Sequence, residues 1–339
     1  MKVVVTGATG FLGKKLAFRL KQMGFDVVGL GRNTSVGKEL EAQGINFESI
    51  DIAKDKEKLI YIMEKAVYVF HCAALSSPWG KYADFYQANV IGTKNVIEAC
   101  KAIRVTRLIH VSTPSLYFDF DERLNVKECD PLPKKKMNYY AETKYLAEKE
   151  VDDAFKDGLP VITIRPRALF GPEDTTIIPR LIRTNEKKFI PIINNGKALM
   201  DITYVENVVD ALLLCMDSPS STLGKKYNIT NGEQIELYTL LEKLFKGLNQ
   251  PFNQKKIPYK VAFLLAELLE IISKLFLKGK EPMLTKYTVS VLSKSQTLSI
   301  EKAKEDLGYE PRISVEEGIQ QFITWWNGAK KDDQISHIK

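Results

Sequence analysis

The sequence opens with Lys2-Val3-Val4-Val5-Thr6-Gly7-Ala8-Thr9-Gly10-Phe11-Leu12-Gly13, and this stretch decides the fold. Its uncharged, β-branched start is typical of a strand that is buried on both faces of a parallel sheet. Three glycines follow at intervals of three residues, and apolar side chains then recur at helical spacing until Gly24. The pattern predicts a strand, a glycine turn and a helix.

Each of the three glycines has a role that a side chain would obstruct. Gly7 can take the turn, Gly10 lets the backbone approach a pyrophosphate, and Gly13 allows close packing of the helix against the strand. The free N–H groups at the helix N-terminus would bind phosphate. These features predict a dinucleotide site, and the alternative is an ordinary tight turn between strand and helix.

The composition describes a globular chain of one large or two modest domains, with 339 residues, 45% of them hydrophobic and 27% charged. The net charge of +7 comes from 49 Lys and Arg scattered among 42 Asp and Glu, so nucleic acid is not an expected partner. Four dispersed cysteines and three histidines argue against a disulfide framework or a metal site. We expect a cytoplasmic protein, because no apolar run reaches the roughly 18 residues of a spanning helix and the first strand leaves no room for a signal peptide.

The ends of the second and third predicted strands bear on the choice of cofactor. The second strand, Asp26 to Leu30, stops at Gly31-Arg32, where a dinucleotide fold places the residue that faces the adenosine ribose. No acid stands there and Arg32 can pair with a 2′-phosphate, so the sequence favours NADP over NAD; the alternative is a surface arginine. At the end of the third strand, Asp51 could accept from an adenine amino group or cap the next helix.

Small and hydroxyl-bearing residues follow the next two predicted strands. Ala73 and Ala74 come after the fourth strand and would let a cofactor lie against the backbone; a tight strand end is the alternative. Ser112 and Thr113 come directly after the fifth strand, Arg107 to Val111. Ligands sit at the carboxyl ends of the strands in an open parallel sheet, although any turn could carry such residues.

A predicted helix that opens at Asn138 carries Tyr140 and Lys144 on one face, because four residues separate them. An ammonium group close to a phenol stabilises the phenolate. Tyr140 could then act as an acid or base nearer to neutral pH than its ordinary pKa of about 10 allows. The spacing alone is common in exposed amphipathic helices, and the other motifs of the chain favour the catalytic interpretation.

Together these motifs resemble an extended short-chain dehydrogenase/reductase, of the NAD-dependent epimerase/dehydratase superfamily. The likeness covers nearly the whole chain in the family's order and rests on Thr6 to Gly13, Asp51-Ile52, Asn89 with Gly92-Thr93, Thr113, Tyr140 to Lys144, Arg165-Pro166 with Gly171-Pro172, Asp201 to Val205 and Leu307 to Pro311. Two positions depart from the usual pattern. Thr113 replaces a serine but keeps the hydroxyl, and Gly31 stands where the family often has an acid, which weakens the expectation of NAD.

The resemblance implies an α/β fold with a Rossmann doubly wound parallel sheet and a smaller, discontinuous C-terminal substrate lobe. Residues 1–170 and about 200–230 would form the Rossmann domain, residues 171–199 and 231–330 the lobe, and residues 331–339 a tail. The resemblance also implies a homodimer formed through the helices at Tyr82 to Cys100 and Asn138 to Phe155.

The same resemblance implies the roles of the site residues. Tyr140 would be the acid/base, Lys144 would lower its pKa and bind the nicotinamide ribose, and Thr113 would hold the substrate oxygen, with Ser112 as the weaker candidate. The cofactor, NADP by preference or else NAD, would contact Gly7, Thr9, Gly10, Phe11, Leu12, Gly13, Arg32, Asp51, Ile52, Ala73, Ala74, Asn89, Tyr140, Lys144 and Pro166.

Within the family, Pro258 to Leu277 and Glu281 to Thr285 most resemble the 3β-hydroxysteroid dehydrogenase-like branch. This implies an enzyme that interconverts a carbonyl and a secondary alcohol on an apolar, lipid-like or steroid-like 3-oxo or 3-hydroxy small molecule. One alternative is a nucleotide-sugar epimerase or dehydratase, although a dehydratase would need an Asp-Glu pair where Pro114-Ser115 stands. The other is a catalytically silent NAD(P)-sensing regulator, against which the joint presence of Thr113, Tyr140 and Lys144 argues.

The predicted helix Pro258 to Leu277 is unusually apolar. Its four charged residues fall on one face and large apolar side chains crowd the rest of the surface. So wide an apolar surface must be covered, and three interpretations are open: lobe core, a lid over an apolar substrate, or peripheral contact with a membrane interface.

Overall fold

The computed structural model describes residues 1–277 and 280–336. The strands are Lys2–Thr6 (β1), Asp26–Gly31 (β2), Asn46–Ser49 (β3), Tyr68–His71 (β4), Arg107–Val111 (β5), Arg123–Val126 (β6), Val161–Pro166 (β7), Leu169–Phe170 (β8), Ile190–Ile192 (β9), Leu199–Asp201 (β10), Thr203–Tyr204 (β11), Lys226–Ile229 (β12), Gln234–Glu236 (β13), Gln254–Lys256 (β14) and Gln296–Leu298 (β15).

The α-helices are Phe11–Gln22 (α1), Thr34–Ala42 (α2), Lys56–Met63 (α3), Tyr82–Phe85 (α4), Gly92–Ile103 (α5), Tyr139–Lys156 (α6), Ile178–Lys187 (α7), Val205–Asp217 (α8), Leu237–Gly247 (α9), Tyr259–Phe276 (α10), Lys286–Ser293 (α11), Glu301–Leu307 (α12) and Val315–Ser336 (α13). A π-helical segment, Tyr86–Ile91, joins α4 to α5. Across residues 1–277 and 280–336, no helix has both the length and the apolar character needed to cross a membrane.

The larger sheet has seven parallel strands in the order β12-β7-β5-β4-β1-β2-β3. The chain begins at β1, moves outward through β2 to β3, and then returns to place β4 on the other side of β1. The strand order therefore reverses between β1 and β4, and a doubly wound sheet binds its ligand outside the carboxyl ends of the strands at such a point. The predicted Rossmann doubly wound sheet is confirmed.

The alternation of side chains in β1 explains the two helical layers of this domain. Val3 and Val5 are fully buried against the layer that contains Leu16 and Leu20 of α1. Val4 is fully buried on the opposite face of the sheet, in a separate apolar cluster with Leu59 of α3. A strand with apolar side chains on both faces is stable only when helices cover both faces, as they do here.

The smaller lobe is organised around a four-stranded sheet in the order β13-β10-β15-β6. The sequence predicts no strand at β6, which lies in a polar stretch and pairs with the distant β15. In addition, Ile300, Ala303 and Tyr309 belong to the apolar core of the larger sheet, although residues 231–330 are predicted as lobe. Helix α13 continues to Ser336, into the predicted tail, and residues 337–339 lie outside the described residues.

Helix α10 buries small side chains and exposes most of its large apolar ones, whereas a helix that packs on a core usually does the reverse. Its fully buried residues are the small Ala262, Ala266 and Ser273. Most of the large apolar side chains face outward, and the exposed fractions of Leu264 and Leu275 are 58% and 70%, whereas Phe263 and Leu269 pack against the cluster around Ala262 and Ala266. The interpretation of this helix as lobe core therefore holds for its inward side and is wrong for its outward apolar side chains.

Candidate active site

The turn between β1 and α1 has the close backbone contacts that the glycine spacing predicts. Gly7 has a φ of +70°, and a Cβ there would lie 2.8 Å from the backbone of Ala73. A Cβ on Gly13 would lie 2.2 Å from the carbonyl oxygen of Gly7. Both positions therefore require glycine.

The N-terminus of α1 fits the phosphates of a dinucleotide. Gly10 is the N-cap residue, no side chain caps the helix, and the first turn carries no acid. The backbone N–H groups of that turn, at Phe11 to Gly13, have no partners within the helix, and Thr9 precedes them in the turn. A cluster of free N–H groups at the positive end of a helix favours a bound pyrophosphate.

The end of β2 leaves Arg32 exposed to solvent. The next residue, Asn33, is the N-cap of α2, and its Oδ1 accepts from the backbone N–H groups of Ser35 at 3.0 Å and Val36 at 3.3 Å. Arg32 makes no ion pair within the described part of the chain. Its guanidinium is therefore available to a charged group at the ribose end of the site.

Asp51 has a local partner at the end of β3. Its Oδ1 accepts from the backbone N–H of Ala53 at 3.1 Å, and Lys54 Nζ lies 3.6 Å from its Oδ2. The carboxylate thus caps a turn, whereas α3 begins later and has Asp55 at its N-cap. Ile52 is buried, and its carbonyl oxygen accepts from Asn95 Nδ2 at 2.8 Å.

Hydrogen bonds fix the end of β4 against the glycine turn. Thr6 Oγ1 bonds to His71 Nδ1 at 2.7 Å and accepts from the backbone N–H of Ala73 at 3.3 Å. His71 Nε2 lies 2.9 Å from Thr93 Oγ1. Burial lowers the pKa of His71 to about 3, so the ring is neutral at physiological pH. Ala74 follows at the exposed edge of this turn.

Asn89 occupies the π-helical segment and is 1% exposed. Its Oδ1 accepts from the backbone N–H of Leu75 at 2.7 Å, and its Nδ2 donates to Thr143 Oγ1 at 3.0 Å. The side chain therefore ties the loop after β4 to helix α6. Widened turns of this kind are often found at functional sites.

Helix α6 brings Tyr140 and Lys144 to the carboxyl end of the sheet. Asn138 caps the helix by accepting from the backbone N–H of Ala141 at 2.9 Å. Lys144 is 2% exposed, and its Nζ donates to the carbonyl oxygen of Val111, the last residue of β5, at 2.8 Å. Burial lowers the pKa of Lys144 to about 8.

The pKa of Tyr140 differs in direction from the sequence-based expectation. Burial raises this pKa, while interactions with the hydroxyl groups of Thr113 and Ser76 oppose the change without cancelling it. The ammonium group of Lys144 donates to the Val111 carbonyl rather than to the phenol. The expectation of a lowered pKa for Tyr140 is therefore wrong for this state of the protein, and the hydroxyl of Thr113 interacts with the phenol.

Ser76 is a neighbour of Tyr140 that the sequence analysis missed. It lies in the loop that follows β4 and is exposed. The sequence does contain a signal for Ser76, because its hydroxyl group follows the carboxyl end of a strand, as that of Thr113 does. Thr113 itself is 4% exposed and also accepts from the backbone N–H of Ser115 at 3.2 Å.

A buried ion pair lies one helical turn beyond Lys144. Glu148 Oε1 accepts from Arg165 Nε at 2.8 Å, and its Oε2 accepts from Arg165 Nη2 at 2.5 Å. Arg165 also contacts Tyr117, whose hydroxyl donates to Asn228 Oδ1 at 2.9 Å. Arg165 and Pro166 end β7, so this network fixes α6 to the strand beside β5. Glu148 was not predicted as a site residue, although it continues the spacing of four from Tyr140 and Lys144.

A second cation, also missed, follows directly after β7. Arg167 is 8% exposed and stacks on Phe118, with its guanidinium carbon 4.3 Å from the ring centroid. Its Nη2 donates to Gln296 Oε1 at 3.4 Å, and its Nε has no hydrogen-bond partner among the described residues. Asp201 acts on it only from beyond ion-pair distance, and burial raises the pKa of that carboxyl to about 6.

Residues 3–230 match the sequence model of a family described as "NAD dependent epimerase/dehydratase family". The chain is 37% identical over 332 residues to the uncharacterized protein YbjS of Escherichia coli, covering 96% of this chain and 97% of that protein. It is 32% identical over 330 residues to 2-alkyl-3-oxoalkanoate reductase of Shewanella oneidensis, with coverage of 94% and 84%. It is 33% identical over 343 residues to the decarboxylating sterol-4-alpha-carboxylate 3-dehydrogenase of Mus musculus, with coverage of 98% and 92%.

Two solved structures show the same fold. One is an epimerase from Methanothermobacter thermautotrophicus, with a TM-score of 0.80, 22% identity and coverage of 99% of this chain and 94% of that chain. The other is UDP-glucuronic acid 4-epimerase from Bacillus cereus in complex with NAD, with a TM-score of 0.77, 23% identity and coverage of 97% and 99%.

The relatives confirm the predicted kind of protein, an NAD(P)-dependent dehydrogenase or reductase of the extended short-chain type that resembles the 3β-hydroxysteroid dehydrogenase-like branch. The matched family spans the glycine turn, the end of β5 and the Tyr140–Lys144 helix. The chain therefore belongs to the NAD dependent epimerase/dehydratase family.

Proposed function

We propose that this chain interconverts the 3-oxo and 3-hydroxy forms of an apolar carboxylic acid, with NADP(H) as its preferred cofactor. The names of the two characterised relatives support this substrate class. One is a reductase of a 2-alkyl-3-oxoalkanoate and the other a 3-dehydrogenase of a sterol 4-carboxylate. In both names the carboxylate sits one carbon away from the carbon that is reduced or oxidised.

The residues around Tyr140 support the proton transfer that this reaction needs. The nicotinamide supplies or accepts the hydride at the substrate carbon. Because its pKa is raised, Tyr140 is protonated at neutral pH and donates its proton to the carbonyl oxygen during reduction. The hydroxyl groups of Thr113 and Ser76 hold that oxygen, and Lys144 binds the nicotinamide ribose. Oxidation of the alcohol reverses the proton transfer.

The proposed substrate class rests chiefly on one observation, the burial of the Arg167 guanidinium without a paired carboxylate. A buried charge is costly unless an opposite charge pairs with it. Arg167 has no carboxylate within ion-pair distance among the described residues, and Asp201 acts on it only from beyond that distance. Tyr287 of α11 acts electrostatically on both Arg167 and Tyr140. A substrate carboxylate beside the reacting carbon would supply the missing anion.

A comparison of acids with their methyl esters tests this role. NADPH oxidation should be faster with a 3-oxo acid than with its methyl ester. In Arg167→Met this preference should disappear, through a loss of about 10- to 100-fold in kcat/KM for the acid alone, and Arg167→Lys should restore part of it. Equal efficiency on acid and ester in the unaltered protein would contradict the proposal. Turnover of a uridine diphosphate sugar instead would favour the epimerase alternative.

The preference for NADP(H) rests on Arg32, which is exposed, makes no ion pair in the described chain and follows a glycine where an acid would select NAD. Arg32→Ala should raise the dissociation constant for NADPH by about 10- to 100-fold and that for NADH much less. The exposed Lys38 of α2 offers a matched control in Lys38→Ala. Equal weakening of both cofactors would contradict the preference.

The homodimer also remains a proposal. On α4 and α6, Tyr82 and Tyr139 are 37% and 44% exposed, and their rings meet edge to face at 5.4 Å. An exposed aromatic pair on two neighbouring helices suits an interface between subunits. Sedimentation analysis should give a dimer for the unaltered chain and a monomer for Tyr139→Glu, and a monomeric unaltered chain would contradict the proposal.

A further inference from the structure

The outward face of α10 is apolar along its whole length. We call it the apolar face and define it by Leu264, Leu268, Ile271, Ile272, Leu275 and Phe276, with exposed fractions from 44% to 75%. Monomeric soluble proteins rarely expose contiguous apolar surface of this extent unless it contacts a partner or a membrane.

The charges beside the apolar face are mainly positive. Lys256, Lys260, Lys274 and Lys280 are exposed and have no carboxylate within ion-pair distance among the described residues. The two acids of α10 share one lysine, since Lys286 lies 3.2 Å from Glu267 and 3.9 Å from Glu270, so one negative charge remains beside these four lysines. An apolar helix face with lysines beside it that have no carboxylate partner is complementary to a surface of acyl chains and anionic headgroups.

Helix α10 lies beside the loops that lead to the candidate active site. The ring of Phe263 meets that of Phe120 edge to face at 5.6 Å, in the loop that follows Thr113 and Tyr117. Lys274 Nζ lies 5.6 Å from the ring centroid of Trp79, in the loop that carries Ser76. Helix α11, which packs on α10, contributes Tyr287 near Tyr140. A surface that binds α10 would therefore lie close to the entrance of the site.

We propose that the apolar face docks this enzyme reversibly on the surface of an anionic lipid bilayer. The helix lies in the plane of the interface, with its apolar side chains among the acyl chains and its lysines at the headgroups. This inference rests on the proposed function in one respect, since it lets an apolar substrate pass between the bilayer and the site without crossing bulk water.

The flanking charges favour a bilayer over a second copy of the chain. In an antiparallel two-fold contact between two α10 helices, the same flank of each helix would meet, so unpaired lysines of both copies would come together. That contact would be opposed by repulsion, whereas anionic headgroups attract each lysine near the surface.

Co-sedimentation of the full chain with vesicles tests the inference. The chain should pellet with vesicles of phosphatidylcholine and phosphatidylglycerol, and less with phosphatidylcholine alone. The double variant Leu264→Ser/Leu268→Ser should lower the partition coefficient by about two orders of magnitude, since each buried leucine contributes on the order of tenfold. Lys260→Glu/Lys274→Glu should abolish the preference for anionic vesicles. The matched control Tyr61→Ser/Leu124→Ser removes exposed apolar side chains elsewhere and should bind as the unaltered chain does.

Three results would overturn the inference. The unaltered chain could stay in the supernatant with both kinds of vesicle, the control variant could lose binding equally, or Leu264→Ser/Leu268→Ser could convert a dimer to a monomer without any vesicle binding. The last result would assign the apolar face to a second copy. Turnover of a short, water-soluble 3-oxo acid should be the same in all variants, so failure to bind vesicles is distinguishable from failure of the proposed function.

Discussion

Helices α6 and α10 each contain 18 residues, and they bury opposite kinds of side chain. Helix α6 turns Lys144 and Glu148 inward, both 2% exposed. Helix α10 turns Ala262, Ala266 and Ser273 inward and leaves most of its leucines exposed. Folding alone rewards neither arrangement, because buried charge and exposed apolar surface both cost free energy.

Under the proposed roles of the two helices, both arrangements favour function at the expense of stability. In α6 the inward charges lie at the carboxyl end of the sheet, where the cofactor and substrate meet. In α10 the outward leucines lie beside the loops that lead there. A residue type in the wrong place for stability therefore identifies both regions, and the sequence alone showed only the unusual composition of α10.

The largest effect should come from Tyr140→Phe at the start of α6. Removal of the phenolic hydroxyl removes the proton donor, so turnover should fall by roughly 10² to 10⁴. The dissociation constant for NADPH should change little, which stopped-flow binding and steady-state assays can separate. Tyr139→Phe, the neighbouring and exposed tyrosine, is the matched control and should retain activity. Retained turnover in Tyr140→Phe would remove the functional reason for the buried charges of α6.

The second prediction concerns the Glu148–Arg165 pair. Glu148→Ala leaves the Arg165 guanidinium buried without its carboxylate, so the free energy of unfolding should fall by about 3 to 5 kcal/mol. Urea denaturation measures this change. Asp153→Ala breaks an exposed pair with Lys156 on the same helix and should have little effect. Similar losses in the two variants would mean that burial does not distinguish these charges.

The third prediction is a pH dependence from Lys144. Its pKa of about 8 in the folded state lies below its ordinary value near 10.4, so the unfolded state binds more protons between these pH values. This residue therefore lowers stability below pH 8, and the loss is relieved as the pH rises toward 10.4. The difference in unfolding free energy between the unaltered chain and Lys144→Met should change by up to about 3 kcal/mol over this range. A flat difference would show that Lys144 is not destabilised by burial.

The smallest effects should separate the two faces of α10. Ala266→Leu adds volume to a fully buried position and should lower the free energy of unfolding by about 1 to 3 kcal/mol. Leu268→Ala, at a half-exposed position on the opposite face, should change it by at most about 0.5 kcal/mol. Thermal or urea unfolding measures both. The reverse order would mean that the apolar face is inward in solution.

Local motifs were the part of the site that the sequence could predict. The glycine turn and the Tyr140–Lys144 spacing each lie within one element and its connection, so local geometry determines them. Arg167 was missed because its surroundings are formed by remote strands: β10 supplies Asp201 and β15 supplies Gln296. The direction of the Tyr140 pKa was missed for a related reason, since burial by distant segments outweighs any effect of its helical neighbours.

For the fold as well, the local elements could be predicted and the pairing of remote elements could not. The strands of the larger sheet are apolar and adjacent to their helices, so the sequence pattern indicates them. Strand β6 has only four residues, and its partner β15 is remote in the chain. The outward orientation of α10 was also hidden, because an apolar helix has the same composition whether its leucines face a core or the solvent.

The contact between Gly31 and Thr9 limits how this protein could change its coenzyme. A Cβ on Gly31 would lie 2.5 Å from Thr9 Oγ1 and 2.6 Å from Thr9 Cγ2. An acid introduced at position 31 alone would therefore collide with the glycine turn before it could reach a ribose hydroxyl. Under the proposed preference for NADP, we therefore expect the two positions to be epistatic, so that a change toward NAD needs a smaller residue at position 9 as well as an acid at position 31.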